Sequence, residues 1–156
     1  MKFRMVDRIV AFQAKRRIRG IKSLSFEEYE LKSAFADQPH LPETLIMESL
    51  FQLGNWLIIL SSDFSQMGLL VRTNEVRFLE LLRPGQSLLM EAEVRIYRGD
   101  GIVFDGRAIV EQEVIATGKG CLAVPVELKD YYNPNDLRVL FSQIYRPDGE
   151  KAGQSK

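Results

Sequence analysis

The 156 residues are 46% hydrophobic and 27% charged, the balance of a folded domain and not of a disordered chain. With 21 Lys and Arg against 21 Asp and Glu, the formal net charge is zero, which argues against a dedicated nucleic-acid binder. One Cys and one His exclude an intrachain disulfide and a Cys/His zinc cage.

The opening MKFRMVDRIVAF lacks the apolar run and small-residue cleavage site of a signal peptide. Met5 to Phe12 alternates around Val6, Ile9 and Val10 and predicts a strand, and Arg16 to Leu24 predicts a second. Ser25 to Pro42 is polar but spotted with Phe26, Tyr29 and Phe35, and Pro39 and Pro42 discourage helix in the residues before them. A loop of this length inside a domain points to function, and its aromatic residues predict that it is ordered.

The pattern changes at Thr44, which predicts an N-cap for a helix running to Ser61. Its apolar residues surround the axis, so the helix must be enclosed by other elements. The stretch from Leu45 to Leu60 carries Glu48, Gln52 and Asn55 and is too short and polar to span a bilayer, so the expectation is a soluble, cytoplasmic protein without a membrane partner.

Strand-like sequence follows. MGLLVRTNEVRFLELL leads through the turn signal RPGQ into the alternating SLLMEAEVRIYR, and GDG at 99–101 predicts a hairpin. Residues 102–128 supply two further strands around Gly118 and Gly120. Asn133 is expected to cap a short amphipathic helix, with Pro134 at its first position. These elements predict one α+β domain over 1–146 and a polar, mobile tail over 147–156. The architecture that satisfies both the apolar helix and the strand count is an antiparallel sheet wrapped around one long central helix, the hotdog fold.

Glu48, Gln52 and Asn55 are spaced by four and three residues and share one helical face. Two readings follow from spacing alone: a polar seam against solvent or a second copy, or a carboxylate placed in the wall of an apolar tunnel. The N-terminus of this helix offers free N–H groups to a carbonyl oxygen. Eight Lys or Arg among the first 22 residues, against only Asp7, make either a charge-blunted edge strand or a docking patch for an acidic partner. Cys121, in an apolar strand, reads as a small core residue.

Three segments together resemble one family. FRMVDRIVAF with RRIRGIKSLSFEEYEL, then AFADQPHLPETLIMESLFQ, then VRFLELLRPGQSLLMEAEV follow the order and spacing of β-hydroxyacyl-acyl-carrier-protein dehydratases over residues 3 to 125. The family's loop reads approximately His-Phe-Pro-x-x-Pro-x-x-Pro-Gly-Val-x-x-x-Glu-x-x-x-Gln. Glu48 falls on its catalytic Glu, Gln52 on its Gln, Phe35 on its Phe, and Pro39 and Pro42 on two prolines. Three positions depart: Ala34 stands for the catalytic His, Ala36 for a Pro, and Glu43 for the Gly at the helix start, beside Thr44.

In that family the His removes the α-proton of a 3-hydroxyacyl thioester. The acidic residue, from the partner subunit, helps the hydroxyl leave, and the Gly N–H holds the thioester carbonyl. The resemblance therefore implies a cofactor-free homodimer that binds acyl thioesters of acyl carrier protein or coenzyme A. Glu48 would be its acid, and Phe35, Pro42, Glu43, Thr44 and Gln52 would line the substrate. Ala34 accepts no proton, so the general base is missing unless His40, in the same loop, replaces it. The alternative is a non-catalytic acyl-binding or partner subunit paired with an active paralogue.

Overall fold

The computed structural model describes residues 4–28 and 37–148. The elements run β1 (Arg8–Gln13), β2 (Arg17–Ser23), α1 (Glu43–Ser61), β3 (Gln66–Arg72), β4 (Glu75–Phe78), β5 (Ser87–Arg98), β6 (Gly101–Val110), β7 (Glu113–Glu127), a 3-10 turn (Leu128–Asp130) and α2 (Pro134–Ile144). The strands form one seven-stranded sheet in the order β1-β2-β5-β6-β7-β3, with β4 also on β7, and every pairing between them is antiparallel. This is the expected α+β, hotdog arrangement.

The sheet encloses α1 as its sequence demands. Ile46, Leu50, Leu53, Leu57, Ile58 and Ile59 of α1 are buried against Ile9, Ile18, Leu88 and Phe104 of the sheet. By length and hydropathy α1 is apolar enough to cross a membrane, yet most of it is buried inside this fold. Gly54 makes one of these contacts possible. A Cβ there would stand 2.6 Å from Cε2 of Phe104, so the aromatic ring lies flat on the helix only because that position is bare.

Several local expectations are corrected. The cap of α1 is Pro42, which makes no side-chain bond, and Thr44 lies exposed within the first turn. Its neighbour Leu41 is fixed instead by a bond from its own N–H to the Leu82 carbonyl, at 2.9 Å, so a tertiary contact replaces the side-chain cap. The 67–82 stretch forms two strands, because Asn74 turns the chain there and its N–H bonds the Lys119 carbonyl. The turn between β6 and β7 falls at Glu111-Gln112, both at positive φ, whereas Gly118 and Gly120 lie inside β7.

Gly120 has a structural task within β7. At φ +62 it marks the irregularity that divides the β3-pairing half of β7 from its β4-pairing half, and Asn74 packs where a Cβ would stand. The Gly120 N–H donates to Asp105 Oδ1 at 2.9 Å. Burial raises the Asp105 carboxyl, but this bond and the Arg95 guanidinium outweigh it and leave the group below its ordinary value.

Beyond the sheet, the Asn133 side chain accepts from the Asn135 N–H at 2.9 Å and Pro134 opens α2, as expected. α2 covers the far end of α1: Phe141 packs on Trp56 and Phe64 and stacks on Tyr145. Arg138 lies over the Phe64 ring and pairs with Asp63. The chain then runs beside β1, where the Arg146 and Asp148 N–H groups donate to the Ile9 and Val10 carbonyls. Residues 145–148 are therefore tied to the sheet, and the rest of the expected tail lies outside the described residues.

Candidate functional site

The helix face singled out by spacing forms one wall of a cavity. Gln52 Nε2 donates to Glu48 Oε1 at 2.9 Å, while Gln52 Oε1 accepts from the Met5 N–H at 2.9 Å. Because a backbone N–H can only donate, it fixes which end of the Gln52 amide faces Glu48. The carboxylate is thus held by a side chain that the N-terminal segment itself orients. One turn further along, Asn55 Oδ1 accepts from the Gly68 N–H at 2.9 Å and ties β3 to α1.

The cavity measures about 340 Å³, enough for a small organic ligand. Glu48, Gln52 and Asn55 provide its polar wall, and Phe51, Ile58, Gly68, Leu70, Phe104 and Ala123 complete it. A carboxylate beside an apolar channel is an arrangement suited to moving a proton to or from a ligand group held there. Among the described residues, no three His, Cys, Asp or Glu side chains converge as a metal site would require.

The other expected residues are placed differently. Pro42, Glu43, Thr44 and His40 are not in the wall of this cavity. The Glu43 and Thr44 N–H groups open α1 without an acceptor among the described residues. His40 is buried, and its Nδ1 bonds the Gln38 carbonyl at 2.7 Å; a carbonyl only accepts, so Nδ1 carries the proton. Phe35 and Ala34 lie outside the described residues. Asn55 was visible in the sequence as a member of the polar face, but its bond to β3 and the apolar wall from β3, β6 and β7 arise only from the tertiary fold.

The basic N-terminal stretch is neutralised in part. Arg8 pairs with Asp148, Arg19 with Glu91, and Lys22 with both Glu28 and Asp7. At the tip of the β1–β2 hairpin, Lys15 lies over the Tyr97 ring, and Arg16 and Arg17 have no ion pair among the described residues. Cys121 is buried in the core, and burial raises its thiol above the ordinary value.

Comparison with known proteins bears on the family and the fold. Residues 1–119 match the model of the FabA-like domain. The chain is 34% identical over 123 residues to the 3-hydroxyacyl-acyl-carrier-protein dehydratase FabZ of Moorella thermoacetica, an alignment covering 78% of this chain and 86% of that enzyme. Among solved structures, a hot-dog-like protein from Thermanaerovibrio acidaminovorans superposes with a TM-score of 0.61 at 19% identity, over 84% of this chain and 93% of that one. A chain of the dehydratase heterocomplex ApeI:P from Xenorhabdus doucetiae gives 0.56 at 19% identity, over 70% of this chain and 89% of that one. With sequence, fold and an acid-bearing cavity in agreement, the chain belongs to the hydroxyacyl-acyl-carrier-protein dehydratase family of hotdog proteins.

Proposed function

We propose that the protein binds 3-hydroxyacyl thioesters, on acyl carrier protein or coenzyme A, in fatty-acid or related lipid or polyketide synthesis in the cytoplasm, with Glu48 as its surviving acid. The observation that carries this reading is the Glu48–Gln52 pair, oriented by the Met5 N–H, on the polar wall of a cavity whose other side is apolar. Glu48 delivers a proton to the departing 3-hydroxyl, and the open N–H groups of Glu43 and Thr44 receive the thioester carbonyl. The position of the family's base is Ala34, so proton removal from the α-carbon is the impaired step. His40 is the one imidazole of the chain, and its Nδ1 bonds the Gln38 carbonyl.

The working unit in this reading is a homodimer joined through β3. That strand ends the sheet, and Leu69 and Val71 on it are 37% and 58% exposed. Leu70, also on β3, lines the cavity, so pairing of two β3 edges closes the cavity at the interface. A second reading is that the chain is a partner subunit that an active paralogue completes with a His. The missing base favours it, and the likeness to a chain of a dehydratase heterocomplex is consistent with it.

The deciding experiment incubates the protein with 3-hydroxyacyl-carrier-protein thioesters, alone and with a neighbouring paralogue, and follows loss of water by mass. Slow turnover alone is expected. Ala34→His should raise it about 10²-fold or more, Glu43→Gly should raise it further in that background, and Glu48→Gln should erase the gain. Brisk wild-type turnover indifferent to Glu48→Gln would overturn the assignment and turn attention to His40.

A further inference from the structure

Resting on the acyl-binding reading above, we propose that Asn55 selects acyl chains carrying a neutral oxygen, a keto or hydroxyl group, in their distal half. The argument starts from the direction of its amide. The Gly68 N–H can only donate, so the oxygen of the Asn55 carboxamide faces β3 and Nδ2 is the end left over. Among the described residues Nδ2 has no acceptor, and Asn55 lines the cavity.

Its neighbours define what that N–H group can meet. Gln52, the polar residue between Glu48 and Asn55, spends its oxygen on Met5 and its nitrogen on Glu48. Asn55 therefore supplies the next directed donor along the wall after the Glu48 carboxylate. The two lie seven residues apart on one helix, about 10 Å along its axis. A chain whose reacting end sits at Glu48 and whose tail follows α1 passes Asn55 well beyond the thioester.

The surroundings exclude a charged tail. Phe51, Ile58, Phe104 and Ala123 form an apolar wall, where an ionised group would lose its hydration without a counter-charge. A plain hydrocarbon covers Nδ2 and offers it no acceptor, whereas a keto or hydroxyl oxygen accepts the bond. Sites that present a fixed hydrogen-bonding group discriminate strongly against analogues lacking its partner.

The test measures binding by calorimetry of dodecanoyl-pantetheine, of analogues with a single keto group walked along the distal half of the chain, and of pantetheine alone. Wild type should bind one keto position about tenfold tighter than the plain chain. Asn55→Asp preserves the acceptor for Gly68 while replacing the donor, so this preference should vanish. Asn55→Ala serves as a second variant, and the ratio of keto to plain affinity is read in both, so a general weakening does not disturb the result. Equal wild-type affinity for all chains, or a preference that survives Asn55→Asp, overturns the assignment while leaving acyl binding intact. An equal loss of pantetheine affinity in Asn55→Asp also overturns it, by placing the oxygen in the carrier arm. Failure of wild type to bind any dodecanoyl thioester removes the acyl-binding reading itself, and this inference with it.

Discussion

The two ends of the sheet are treated in opposite ways. Along β1, the chain returns after α2 and covers the edge: the Ile9 and Val10 carbonyls accept from Arg146 and Asp148, and Arg8 bonds both the Arg146 carbonyl and the Asp148 carboxylate. Along β3 and β4 nothing in the described residues does this, and Leu69, Val71, Val76, Phe78 and Leu79 remain exposed, the last at 63%. Unpaired edges invite association, and a charged or covered edge prevents it. Covering one edge with residues 146–148 and leaving the other apolar leaves one place open to the homodimer proposed above. That place adjoins the cavity, since Leu70 belongs to both.

The strongest way to break this contrast is to remove residues 134–148. Trp56 and Phe64 would lose Phe141, and the β1 edge would open. Loss of more than about 4 kcal/mol is expected in urea unfolding, with larger assemblies in light scattering as β1 begins to pair. Next comes the opposite edge. Leu69→Lys combined with Val71→Lys should yield a monomer by sedimentation at micromolar concentration, with little change in far-ultraviolet dichroism. A double variant that stays dimeric would place the interface elsewhere.

Smaller effects sharpen the picture. Arg138→Ala removes the ion pair to Asp63 and the cation over Phe64, both at a partly exposed site, and should cost about 1 kcal/mol in thermal or urea unfolding. It should leave the oligomeric state unchanged, because α2 still covers its end of α1. The least effect concerns acid. Asp105 titrates below its ordinary value of 3.8 when folded, so its contribution is present above that value and is lost as pH falls through the lower folded one. Asp105→Asn should flatten that part of the acid limb. The accompanying loss of amide protection in hydrogen exchange should fall on β4 and the adjoining part of β7 and not on β1, because the Gly120 bond to Asp105 holds the bend there.

Much of this could be read before folding, for identifiable reasons. The enclosure of α1 followed from apolar residues on all its sides, and the Asn133 cap from a side chain acting two residues away. Local chemistry of that kind is written in neighbouring letters. Thr44 failed as a cap because Leu41, beside the capping Pro42, is held by Leu82, forty-one residues on, a contact no local pattern announces. Gly118 and Gly120 suggested a strand break, yet the turn was made by Glu111 and Gln112 in a left-handed conformation that those residues rarely adopt. In the site, Glu48 and Gln52 were legible from helical spacing. Their apolar counterpart was not, because Leu70, Phe104 and Ala123 come from three strands far apart in sequence.

The bare position at Gly54 places control of the cavity's calibre behind its wall. Phe104 lines the cavity and also packs closely on Gly54. Any methyl group added at 54 must push that ring away from the helix and alter the cavity from a position outside its lining. If the cavity takes an acyl chain as proposed, the room left for that chain is set in part by a residue behind the wall, at position 54.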